Sequence, residues 1–184
     1  MEADFDAAVL GLALPAEVEQ ALREAAAARG DVVAALSALA RAEALAPDHP
    51  AVLIACYRHH FYAHRLRSAR DVAMRALAVG ARALALPAAW RDVPRQPLPG
   101  ARHEARTRFY LFVLKGYAYL SLRLDDGAEA RDALALLRVL DPDDRVGGAL
   151  LEAVRRRSAD PDAEALPCLP ATGTAAWAGL PAAD

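Results

Sequence analysis

The chain has 184 residues, enough for one domain with a sizeable core, and a formal net charge of −2, which provides no global field for nucleic acid. Hydrophobic residues make up 55% of it and aromatic ones only 6%, the difference lying mainly in leucine and in alanine, which occupies 47 positions. These are strong helix formers, and the β-branched and aromatic residues that favour strands are few, so the composition predicts an all-α protein.

Taken in order, residues 1–14 are expected to form a short amphipathic turn or helix with Phe5, Val9, Leu10 and Leu12 as its apolar members. Acids stand where a signal peptide needs bases, and no stretch approaches the ~20 apolar residues of a membrane span, so the expectation is a cytoplasmic, bacterial protein with no membrane partner. Cys56 and Cys168 lie far apart in unlike contexts and imply no disulfide framework. Lys115 is the only lysine; the arginine bias accompanies abundant Ala, Gly and Pro and fits a GC-rich coding sequence better than phosphate recognition.

Pro15 suits the entry to a helix over residues 16–29, which Gly30 closes. Asp31 caps the next helix, 32–45, which Pro47 and Pro50 end. Residues 51–79 read as two helices joined by a turn at His64, and the second of them runs on past Gly80 to Leu86. Residues 87–100, with four prolines and a glycine, are expected to be an irregular loop within an insertion over 81–107. A further helix pair starts near Leu111 and turns at Asp125 and Asp126. Residues 145–157 then form a capping helix, and 159–184 a poorly ordered Ala/Pro-rich tail beyond a domain of residues 1–158.

Gly30 and Asp31 followed by Ala35, Leu39, Ala42 and Pro47, and then Asp126 and Gly127 followed by Ala130, Leu134, Leu137 and Pro142, resemble the second half of a tetratricopeptide repeat. In that register the second repeat starts at Pro50 and the third near Leu111, 61 residues later instead of 34. Arg23, Glu19, His64 and Ala81 depart from the family pattern. The resemblance implies a right-handed solenoid of about three helical hairpins plus a capping helix. It also implies a non-catalytic scaffold or chaperone whose first helices line a concave groove for a protein or peptide segment. Small three-repeat proteins also resemble bacterial secretion chaperones. The run from Arg108 to Phe112, with Leu114, Lys115 and Gly116, is similar to small repeat proteins encoded beside nitrogenase genes, which implies an assembly factor for a larger enzyme system.

Carried over by position, the groove comprises Glu17, Gln20 and Glu24 from the first repeat; Ala51, Ile54, Arg58, Phe61 and Tyr62 from the second; and Phe112, Lys115, Tyr119 and Leu120 from the third. Members of the family that clamp a terminal carboxylate use asparagines, and this chain has no Asn. Aromatic residues with isolated cations suit an apolar or amphipathic segment bearing one or two acids. The loop at 87–100 is expected to flank or partly fill this groove.

Cys56, His60 and His64 are spaced by four, which on a helix makes one stripe and offers a soft thiolate with two imidazoles to a metal. The competing reading places Cys56 and His60 in the seam against the following helix, as a small hydrophobe and a backbone-bonded imidazole. Gly147 and Gly148 follow no strand, and no serine stands in a nucleophile elbow. The acids at 125–126 and 141–144 read as helix caps. The chain is therefore expected to be no enzyme and to need no cofactor. Self-association through an open end of the solenoid is an alternative that leaves the oligomeric state open.

Overall fold

Most breaks in the helical pattern carry a residue whose backbone is left-handed, among them Gly30 (φ 95°), His64 (φ 55°), Ala85 (φ 52°) and Asp125 (φ 60°), whereas the break before Pro50 has none. At His64, Ala85 and Asp125 the next N–H reaches back five residues, Arg65 to His60, Leu86 to Ala81 and Asp126 to Ser121, closing the helix end. The computed structural model describes residues 13–28, 30–99 and 104–159, and among them it contains seven α-helices and no strand. They are α1 (Ala16–Ala27), α2 (Val32–Leu45), α3 (Pro50–Tyr62), α4 (Leu66–Ala83), α5 (Ala105–Arg123), α6 (Gly127–Leu140) and α7 (Gly148–Ala159), with a 3-10 turn at Trp90–Asp92. The expected helix within residues 1–14 and the tail at 159–184 fall almost wholly outside the described residues.

Capping follows the acids. Asp31 accepts from the Ala34 N–H at 2.9 Å, Asp126 from Glu129 at 3.3 Å and Asp144 from Ala149 at 3.0 Å. Helices α1 and α2 pack on each other, as do α3 and α4, and α5 and α6. Helix α3 also touches both members of the preceding pair, and α7 touches both α5 and α6. One apolar cluster joins α4, α5 and α6 around Leu77, Tyr110, Leu114 and Leu136. A second joins α1 to α4 around Val18, Leu39, Val52 and Leu53, with Phe109 of α5 inserted.

Several boundaries differ from those the sequence suggests, α1 for one ending at Ala27 instead of residue 29. Helix α5 begins at Ala105, six residues before Leu111, because its first turns are buried: Phe109 and Tyr110 enter the two clusters, and the Thr107 hydroxyl donates to the Pro99 carbonyl at 3.1 Å. Helix α4 stops at Ala83 instead of Leu86. Helix α7 starts at Gly148 instead of residue 145, since the turn before it is pinned. There the Val146 N–H donates to the buried Asp141 carboxylate at 2.9 Å, and its carbonyl accepts from Lys115.

The loop at 87–99 is less irregular than its prolines suggest. Trp90 and Val93 are buried in the first cluster, and the Leu98 N–H donates to the Leu140 carbonyl at 3.0 Å. Trp90 lies 5.8 Å from the Tyr117 ring. Tyr117 projects about half a turn around α5 from Phe112, Lys115 and Tyr119, so this contact holds the loop behind the α5 face assigned to the groove. It does not fill that face. No helix among the described residues is long and apolar enough to cross a membrane.

Candidate partner-binding face

Helices α3 and α5 meet through aromatic rings. Gly116 leaves room for Tyr57: a Cβ there would lie 3.1 Å from the tyrosine hydroxyl. Phe61, one turn further along α3, stacks on Tyr57 with centroids 5.9 Å apart, meets Tyr62 edge-on at 5.5 Å and lies 5.9 Å from Tyr119 of α5. Burial and the neighbouring tyrosines push the Tyr57 hydroxyl up to about 12. Tyr62 is 70% exposed and Phe112 41% exposed, so the stripe continues onto the surface. Large exposed apolar groups placed together commonly mark interaction sites.

The cations differ from expectation. Arg58 is exposed on the same side of α3 as Tyr62. Lys115 is half-buried and its ammonium donates to the Val146 carbonyl, so it ties α5 to the turn before α7 instead of standing open in a groove. Arg123, which the positions carried over from the repeat family did not include, donates to the Tyr119 hydroxyl at 2.8 Å and places its guanidinium 5.8 Å from that ring centroid. Its position four residues after Tyr119 was the available signal. Tyr57, four residues before Phe61, was missed in the same way.

Other groove assignments are corrected by burial. Ala51 and Leu120 lie in the interior and present no surface, and Ile54 is half-buried against the second cluster. On α1, Glu17 is exposed, Gln20 bonds Glu24, and Glu24 pairs with Arg41 of α2. The face brought together is Arg58, Phe61, Tyr62, Phe112, Tyr119 and Arg123.

The Cys56–His60–His64 stripe does not assemble. Helix α3 ends at Tyr62, and His64 sits beyond it in the left-handed turn, so the four-residue spacing no longer places it above His60. Cys56 is 4% exposed in the second cluster, and burial pushes its thiol up to about 11, away from the thiolate that a metal or an oxidant needs. Among the described residues, no group of three or more His, Cys, Asp or Glu side chains is placed to hold a metal ion.

His59 and His60 form a different cluster with Arg65. Arg65 bonds the His59 Nε2, and His60 Nδ1 is buried without a hydrogen-bond partner. Burial and then the Arg65 charge lower both imidazoles below the ordinary value; for His60 the His59 ring adds to this and Glu43 opposes it. A histidine depressed in the folded state contributes stability that is complete above the unfolded value near 6.5 and is lost as pH falls through the folded value. The urea midpoint is therefore expected to fall between pH 7 and pH 5, modestly because both rings are partly solvated. A His59→Asn/His60→Asn variant is expected to flatten that slope, and an unchanged slope would contradict the assignment.

No family model matches the chain, and no solved structure matches it. It is similar to the uncharacterized 19.8 kDa protein in nifW 5'region of Azotobacter chroococcum mcd 1, being 38% identical over 150 residues that cover 80% of this chain and 84% of that one. At that identity and coverage, this helical chain belongs to the family of that bacterial protein.

Proposed function

We propose that the helix pairs α1/α2, α3/α4 and α5/α6 form a tetratricopeptide-like right-handed solenoid capped by α7, and that the protein is a non-catalytic scaffold or chaperone. Its partner is an apolar or amphipathic protein segment bearing one or two acids, held on the α3–α5 face. The observation that carries this reading is the aromatic contact running from Tyr57 and Phe61 to Tyr119 and opening at Tyr62 and Phe112, with Arg58 and Arg123 beside it. Two further observations support the solenoid: the first two left-handed turns, Gly30 and His64, are 34 residues apart, and α3 and α7 each pack on both helices of the preceding pair.

Affinity purification from the native host tests it. The wild-type chain is expected to recover a partner that an Arg58→Glu/Tyr62→Ala/Tyr119→Ala variant recovers at least tenfold less, since interface aromatics and arginines carry much of a binding energy. A Leu150→Glu variant, altered on α7 away from this face, is expected to recover it normally. If the triple variant keeps every partner, the face is not the binding surface.

A second reading, an assembly factor for a larger enzyme system such as nitrogenase, is favoured by one observation. The relative's printed name places it in the nifW 5' region. It uses the same face and predicts that the recovered partner belongs to that system.

A further inference from the structure

A cleft of about 600 Å³ lies between α6 and α7, away from the α3–α5 face. Ala135 of α6 and Ala149 and Ala153 of α7 contribute apolar surface, and Arg131, Arg138 and Arg156 line it. The acids that line it are engaged within the fold: Glu152 with Arg155 and Arg156, Asp144 with the Ala149 N–H, and Asp141 through one oxygen with the Val146 N–H. The Glu152 carboxyl is held down to about 2 by its two arginines, so it stays ionised and paired. Arg131 pairs with its neighbour Asp132, an exposed contact of little worth.

The chain itself supplies a complementary ligand. Helix α7, one wall of the cleft, ends at Ala159, and residues 160–184 follow with four acids and no Lys, Arg or His. Three of those acids, Asp160, Asp162 and Glu164, precede Leu166 and Leu169, an acidic stretch that runs into an apolar one. Ten extended residues span about 33 Å. The α7 wall from Gly148 to Arg156 is only about 12 Å long, so residues 160–169 can turn back and run along it.

We propose that residues 160–169 of the same chain are the ligand of the α6–α7 cleft, with their acids against Arg131 and Arg138 and their leucines toward Ala135, Ala149 and Ala153. The occupant covers the outer side of the last helix pair and leaves the α3–α5 face open to its partner.

Cys168 is a native reporter, and Cys56 is buried and does not compete. In the full-length chain, Ala149→Cys puts a thiol in the cleft, and Leu150→Cys puts one on the adjacent residue, about 100° away around α7. Tethering alone would give both the same chance of meeting Cys168. Under diamide oxidation, the intramolecular disulfide is expected to form at least tenfold faster with Ala149→Cys than with Leu150→Cys. Adding Arg131→Glu and Arg138→Glu is expected to abolish that difference. Equal rates for the two cysteines would overturn the proposal. So would disulfides that form only between chains and accelerate with concentration, which would mean that a second copy fills the cleft.

Discussion

Replacing Trp90 with alanine is expected to cost about 3–5 kcal/mol of folding stability, read as a drop in the urea midpoint of the full-length chain with its slope unchanged. Trp90 is only 6% exposed although it lies in a proline-rich connection. Its indole packs against Tyr117, and the Arg91 guanidinium sits 4.4 Å from its centroid. Arg91 in turn pairs with Glu129, which accepts the Tyr117 hydroxyl, so one carboxylate joins the loop, α5 and α6. Burial, then that bond, pushes the Tyr117 hydroxyl up to about 12, so the tyrosine donates throughout the physiological range. Truncation removes the anchor and leaves a cavity in the first cluster, whereas Trp90→Phe is expected to retain more than half of the stability lost by alanine. If Trp90→Ala changes the folding free energy by less than about 1 kcal/mol, the loop is not part of the core.

Gly80→Val is the second large effect, an expected loss of about 1–3 kcal/mol from overpacking. Glycine inside a helix is unfavourable by about 1 kcal/mol relative to alanine, yet α4 keeps one in its last turns. A Cβ at that position would lie 3.2 Å from both Phe109 and Tyr110, two aromatic rings with almost no exposure and no room to withdraw. The missing side chain lets α4 and α5 approach closely enough for α5 to serve both clusters. In Gly80→Ala the gain in helix propensity is expected to offset the tight contact, leaving a change within about 1 kcal/mol. Thermal or urea unfolding of the pair separates the two contributions. A valine variant as stable as alanine would show that the helices separate without cost.

Much of the helix pattern was legible in the sequence because it depends on local chemistry. The bounds of α2 follow from Asp31 and the two prolines, and the turn at His64 from its place 34 residues after Gly30. The early start of α5 was not legible. Its first turns are set by Phe109 and Tyr110 reaching two separate clusters, which no local pattern around Ala105 announces. The loop at 87–99 read as irregular because prolines dominate it, while the burial of Trp90 depends on α5 and α6 being present to receive it.

The candidate site divides in the same way. The resemblance to a tetratricopeptide repeat, carried over by position, assigned Arg58, Phe61, Tyr62, Phe112 and Tyr119 to one groove, and they lie on two helices with varying exposure. Helical spacing suggested a Cys56–His60–His64 stripe, which fails because a helix end converts a four-residue spacing into a turn. By itself, then, the sequence determined the all-helical class, the caps and the breaks, since propensity, capping and left-handed turns act within a few residues. Only the tertiary structure decided that Lys115 is tied to Val146, that Trp90 is core, and that Tyr57 and Arg123 complete an aromatic contact between α3 and α5. Those outcomes depend on which helix faces meet, a matter of packing between residues distant in the chain.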